Sequence, residues 1–120
     1  MIGTTLAVED TQAQILKAIA HPFRIRMLEA LSADEECVCH LSALFEKPQP
    51  YISQQLAALK EAGLVQDRRV AQRIFYRIAD PRVLELLDAV RALSGSPALA
   101  REPRRAVTGC SCPKCDLEAR

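Results

Sequence analysis

The chain has almost no net charge: sixteen lysines and arginines stand against fifteen aspartates and glutamates, leaving +1. A globally basic nucleic-acid binder is thereby excluded, and any basic footprint has to be local. No apolar run approaches the ~18 residues needed to cross a bilayer, so no membrane partner is expected. Met1 to Leu6 has neither a basic segment nor an apolar stretch long enough for a secretory leader. That predicts a cytoplasmic protein whose thiols stay reduced. Paired carboxylates, a Gly-rich phosphate loop and a Ser/His/Asp arrangement are also missing, and no enzyme is expected. No internal repeat divides the 120 residues, a length that suits one compact domain. At this size a sizeable share of apolar surface stays exposed, and a dimer is one way to hide it.

What is present is periodic. Glu9 to Ala20 reads as a helix opened by acidic residues, with Ile15, Leu16 and Ile19 as its apolar stripe. His21-Pro22 interrupts it, because the residue before proline avoids helical angles. A second helix carries Phe23, Met27, Leu28 and Leu31, and fades near Ser32 to Glu36. Cys39 to Phe45 is a short third helix, and Lys47-Pro48-Gln49 is the turn into a fourth that ends near Ala62. In that fourth helix Ile52, Leu56 and Leu59 recur at i, i+4 and i+7 and face inward. Gly63 closes it as a left-handed cap. Gln49, Tyr51, Ser53, Gln54 and Gln55 are then the polar set at its exposed start.

After Gly63 the period becomes two. Leu64-Val65 begins one strand, and Ile74, Tyr76 and Ile78 alternate along the next. The connection near Val70 to Gln72 lacks the glycine that tight hairpins favour, leaving its turn type open. Asp80-Pro81 starts a last helix bearing Val83, Leu84, Leu87, Val90 and Leu93. Residues 1–95 form the expected domain. From Ser96 the composition shifts to Pro, Arg and Gly, which predicts a mobile tail over 96–120 holding Cys110, Cys112 and Cys115.

A short helix, a brief turn and a longer helix with a polar start, followed by a hairpin, is the arrangement that enters a DNA major groove. A plain helical hairpin would share the first part of that pattern, so local charge helps decide. Pro48 to Ile78 holds five basic residues against two acidic ones, whereas Met1 to Lys47 holds seven acidic against four basic. Basic charge therefore gathers on the half where phosphate contacts are needed. Lys60, Arg68, Arg69 and Arg73 are the expected phosphate contacts, with Ser53 and Gln54 reading bases. The fold class expected is mainly α with a β-hairpin wing.

Cys37-Val38-Cys39 places two sulfurs one residue apart at a helix start. Unpaired amides and the positive end of the helix dipole favour thiolate there. Thiolates select soft acceptors such as As(III), Sb(III), Cd(II), Pb(II), Zn(II) or Cu(I). Five cysteines, an odd number, argue against a disulfide framework. Cys112-Pro113-Lys114-Cys115 has the spacing of a thiol redox motif but lacks the strand–helix unit that chemistry needs. His21 reads as a helix-junction residue, and His40 as a minor ligand candidate beside Cys39.

Cys37-Val38-Cys39, Gln49-Pro50-Tyr51-Ile52-Ser53-Gln54-Gln55-Leu56, Leu59-Lys60-Glu61-Ala62-Gly63-Leu64-Val65 and Phe75-Tyr76-Arg77-Ile78 resemble the ArsR/SmtB family of winged-helix repressors. The resemblance spans about Ile15 to Leu93. It implies a homodimer, double-stranded operator DNA with inverted half-sites, and release when a metal ion or metalloid binds. The dimer surface it suggests combines Ile15, Leu16 and Ile19 with Leu84, Leu87, Val90 and Leu93. Relatives often carry histidine where this chain has Gln54 or Gln55, which leaves the operator sequence open. In the arsenic-sensing branch a third cysteine often follows the pair by three residues; here that position is Ser42. One or more of Cys110, Cys112 and Cys115 is then expected to complete the site. No cysteine precedes Cys37, which favours As(III) or Sb(III) over Cd(II), Pb(II) or Zn(II). The last helix contains no histidine, so the family's zinc or nickel site there is expected to be absent. Three alternatives stay open: a Cd(II)-, Pb(II)- or Zn(II)-sensing repressor of the same fold, a thiol redox-sensing repressor of that fold, and a metal carrier or reductase without DNA affinity.

Overall fold

A computed structural model describes residues 7–98. Its elements run α1 (Val8–Ile19), α2 (Pro22–Ala30), β1 (Glu36–Cys37), α3 (Val38–Phe45), α4 (Gln49–Glu61), β2 (Val65–Val70), β3 (Arg73–Ile78) and α5 (Arg82–Leu93). The architecture is mainly helical with a β-hairpin wing, a winged helix-turn-helix, as the sequence predicts. No helix among the described residues is long and apolar enough to cross a membrane.

Local chemistry explains the breaks. His21 is the N-cap of α2, its Nδ1 accepting from the Phe23 amide at 3.2 Å, with Pro22 in the first turn where a missing N–H costs nothing. Glu46 takes φ 53° to end α3, and Ser42 Oγ donates to the Lys47 carbonyl at 2.5 Å across the turn. Gly63 ends α4 with φ 80°, a conformation that suits a residue without Cβ.

The core gathers inward residues from every helix. Met27, Leu28, Leu41, Ile52, Leu56 and Leu59 are completely buried, with Leu31, Val65, Val83 and Leu87 around them. Deleting one such side chain typically costs about 2–5 kcal/mol. Two positions expected at a dimer surface, Ile19 and Leu87, belong to this core at 6% and 5% exposure. They face inward because α1 and α5 each have a wide apolar stripe, and its inner edge packs within the protomer. Leu16, Val90 and Leu93 remain 55%, 43% and 89% exposed, while Ile15 and Leu84 are half-buried.

One strand escapes sequence reading. Glu36, expected at the fading end of α2, and Cys37, expected at a helix start, instead form β1, and the sheet runs β1-β3-β2. It pairs antiparallel with β3, Glu36 opposite Tyr76 and Cys37 opposite Phe75. The β2–β3 hairpin pairs Val65 with Ile78 through to Val70 with Arg73, leaving Ala71-Gln72 as a two-residue turn. Ala71 adopts φ 54° there, where a glycine would be at ease.

Candidate functional site

The helix-turn-helix is α3 and α4, and its two helix starts differ in what they show to solvent. On α4, Gln49, Ser53 and Gln54 are exposed. Tyr51 and Gln55, expected in the same polar set, are four residues apart and so share the helix face turned to α2. The Tyr51 ring lies 5.3 Å from that of Phe23, and Gln55 Oε1 accepts from Arg24 Nε at 2.8 Å. Both therefore anchor α4 on α2, and three of the five predicted residues are left to face outward.

The wing supplies charge. Arg69 is exposed, and Arg68 is held by Glu35, with its guanidinium 5.5 Å from the Phe75 ring centre. Lys60 pairs with Asp67 at 3.0 Å, and the hydrogen bond from Lys60 holds the Asp67 carboxyl below its ordinary pKa. These pairs lie on the surface, where an ion pair is weak enough to exchange for a phosphate. Arg73, expected on a phosphate, does something else. It is half-buried, and its Nη1 donates to Cys39 Sγ at 3.3 Å.

The start of α3 is largely buried. Cys37 is 1% exposed and caps the helix, its Sγ accepting from the His40 amide at 3.2 Å. His40 and Glu36 are buried beside it, Nε2 standing 3.7 Å from Oε2. The Cys37 and Cys39 sulfurs are joined as a disulfide, with the Cα atoms 5.3 Å apart. The odd cysteine count argues against a disulfide framework, although the redox-sensing alternative calls for such a bond. It closes only a three-residue loop, so it staples no distant segments, but it puts both sulfurs at one point. Cys37, Cys39, Gln49, Ser53, Gln72 and Arg73 share the wall of one cavity of about 200 Å³. The cysteine pair, the start of the reading helix and the wing thus meet at one place.

Among the described residues, Cys37 and Cys39 bring two sulfurs to this place. Among the described residues no group of three or more His, Cys, Asp and Glu side chains is arranged to hold an ion. Ser42, at the position of the missing third cysteine, spends its hydroxyl on the α3–α4 turn. Cys110, Cys112 and Cys115 lie outside the described residues.

The bacterial regulatory protein arsR family model matches residues 21–67, from the cap of α2 into the wing. The biofilm growth-associated repressor of Agrobacterium fabrum is 41% identical over 85 residues, which cover 71% of this chain and 73% of that one. The chain belongs to the arsR family. Its members are DNA-binding transcriptional regulators, not enzymes. An arsenic resistance transcriptional regulator of Pseudomonas putida is 40% identical over 77 residues, covering 63% of this arsR-family chain and 59% of that protein. Among solved structures, the homodimeric winged helix-turn-helix DNA-binding domain of a possible ArsR-family regulator from Mycobacterium bovis superposes with TM-score 0.70. It has 32% identity and covers 79% of this chain and 91% of that one. The family model's span includes both helices of the reading unit and the Cys37/Cys39 pair.

Proposed function

We propose that this arsR-family chain is a homodimeric repressor that binds an inverted-repeat operator and releases it when As(III) or Sb(III) is captured by cysteine thiolates. The observation that carries the reading is the convergence of Cys37 and Cys39 on a cavity whose wall includes Gln49 and Ser53 of α4. A ligand there touches the element that reads DNA. Ser53, Gln54 and Gln49 read base edges, and Lys60, Arg68 and Arg69 hold phosphates. Leu16, Val90 and Leu93, with the half-buried Ile15 and Leu84, supply the apolar surface on which a second copy packs.

Capture requires the reduced pair, so the disulfide is the form that does not bind. Each As–S bond forms as an arsenite hydroxyl leaves with a thiol proton as water. Cys37 and Cys39 supply two sulfurs, and one of Cys110, Cys112 and Cys115 supplies the third, since arsenite favours three soft ligands over two and a serine. The bound state then favours a different placement of α3 from the DNA-bound one, and the two ligands oppose each other through that difference.

The disulfide itself favours a second reading, in which oxidation of Cys37 and Cys39 releases DNA without any metal. One titration separates the two. A duplex selected by the protein from a randomised pool is followed by fluorescence anisotropy, with arsenite under reductant or with peroxide alone. Release by arsenite, abolished in Cys37→Ser and Cys39→Ser and weakened by truncation after Thr108, is the expected result. Should the Cys37→Ser/Cys39→Ser double variant release DNA at the wild-type arsenite concentration, the sensor lies elsewhere. Release by peroxide alone selects the redox reading.

A further inference from the structure

The turn between α1 and α2 leaves one carbonyl in need of a donor. In a continuing helix the Ala18 carbonyl would accept from residue 22, but that residue is Pro22, which has no amide hydrogen. Arg24 fills the role. Its Nη1 donates to the Ala18 carbonyl at 3.2 Å, and a cation at this end also suits the negative pole of the α1 dipole. The same guanidinium donates through Nε to Gln55 Oε1 on α4 at 2.8 Å. One planar, half-buried group therefore holds the last turn of α1 and the middle of the reading helix at a fixed separation.

Packing between α1 and α4 is thin on this side. Ala18 on α1, with Ala58 and Ala62 towards the end of α4, lines a cavity of about 350 Å³, and Arg24 is part of its wall. Alanine side chains are too short to close that gap, so the guanidinium bridges it. Ile52, Leu56 and Leu59 bury the inner face of α4, but apolar burial is non-directional and does not by itself fix how the helix is turned.

We propose that Arg24 is a positioning residue that sets the separation of the two reading helices in the dimer, and through it the half-site spacing of the operator that the protein accepts. This rests on the reading that a second copy packs against α1 and α5. With α1 in the rigid centre of that dimer, the guanidinium bridge places each α4 relative to the centre. Adding or removing one base pair between half-sites moves one of them by about 3.4 Å and turns it about the DNA axis. With the bridge intact, α4 cannot follow that shift. Without it, the cavity leaves the end of α4 room to move towards α1.

The test measures affinity of the full chain by fluorescence anisotropy. The duplexes are the selected one, versions with one base pair added or removed between the half-sites, and a single half-site. Wild type should lose at least about tenfold on the altered spacings. Arg24→Met and Gln55→Met cut the bridge at either end; each should shrink that loss to within about threefold, and the double variant should do no more, because both remove one link. Gln55→Met leaves the Ala18 cap in place, so it reports on the bridge even where Arg24→Met lowers stability. Gln55→Glu keeps an acceptor for Arg24 and should restore the wild-type ratio. In both Met variants single half-site affinity and the slope of affinity against salt should match wild type, since Gln49, Ser53 and Gln54 are untouched. Equal weakening on full and single half-sites, with a slope flattened by about 0.9, is the signature of a lost phosphate contact and overturns the proposal. So does a pair of Met variants that sediment as dimers and discriminate spacing as wild type does. A wild type that sediments as a monomer at micromolar concentration fails the dimer reading itself, and the proposal with it.

Discussion

The two helix starts of the helix-turn-helix are about ten residues apart in sequence and opposite in character. At α3, Glu36, Cys37, His40 and Leu41 are buried, and cap, sheet pairing and side-chain contacts are all committed. At α4, Gln49, Ser53 and Gln54 face solvent. On the proposed reading, the contrast separates sensing from reading. A committed, buried junction has few ways to accept a new bond without shifting its neighbours, because close-packed interiors transmit strain. An exposed polar face adapts to a partner without disturbing the fold. The cavity between them, with Arg73 on its wall, is where the proposed reading has one region act on the other.

The sharpest way to break this comparison is to truncate one side chain in each region. Leu41, fully buried on α3, should cost about 2–5 kcal/mol when changed to alanine, read as a lowered urea midpoint. Gln54→Ala should leave the midpoint within about 0.5 kcal/mol of wild type, as surface changes do. On the selected duplex the same change should cost about 1–3 kcal/mol and relax base preference at one position of each half-site. If Gln54→Ala binds like wild type while Tyr51 or Gln55 variants lose base preference, the outward face of α4 has been misassigned.

The two regions were not equally legible in sequence. The spacing of Ile52, Leu56 and Leu59 located the inner face of α4, and all three are fully buried. The same spacing left Tyr51 and Gln55 among the exposed residues, because it says which face is inward but not how far α2 wraps around it. β1 was illegible for a simpler reason. Two residues, Glu36 and Cys37, cannot display a period, and their pairing with β3 spans almost forty positions. Without β1 nothing in the sequence links Arg73 to Cys39. The apolar stripes of α1 and α5 were plain, but apolarity does not say whether Ile19 and Leu87 pack within the protomer or against a partner.

A smaller effect is expected at the wing tip, which sharpens the comparison by loosening the element between its two halves. Ala71 holds φ 54°, a conformation that disfavours residues with a Cβ. Ala71→Gly relieves that strain but adds freedom to the unfolded chain, so stability should rise by no more than about 1 kcal/mol. A β-branched Ala71→Val should lower it by more. Thermal melting of the two variants against wild type checks the pair, and a Val variant as stable as wild type would mean the turn adopts another conformation.

The smallest effect lies at α5, outside both regions, and serves as their control. Asp80 Oδ1 accepts from the Arg82 amide at 2.8 Å, and Oδ2 accepts from Arg82 Nη2 at 2.7 Å. The side-chain hydrogen bond from Arg82, then the backbone one, brings the Asp80 carboxyl down from 3.8 to about 2. A folded-state value below the unfolded one means stability that is fully present above the ordinary carboxylate value. It is lost as pH falls through about 2, where Asp80 in the folded protein takes up a proton. Wild type should therefore melt slightly higher than Asp80→Asn at neutral pH. The gap should narrow as pH falls below 3.8 and close below about 2. It should stay small because both side chains are exposed and water screens the pair. Because Asp80 and Arg82 pair with each other at the start of α5, the gap should be the same with the cysteine pair reduced or oxidised. A gap constant with pH means the Arg82 contact does not hold the carboxylate; a gap that changes with the redox state of the cysteine pair means a change at α3 reaches further than the wing.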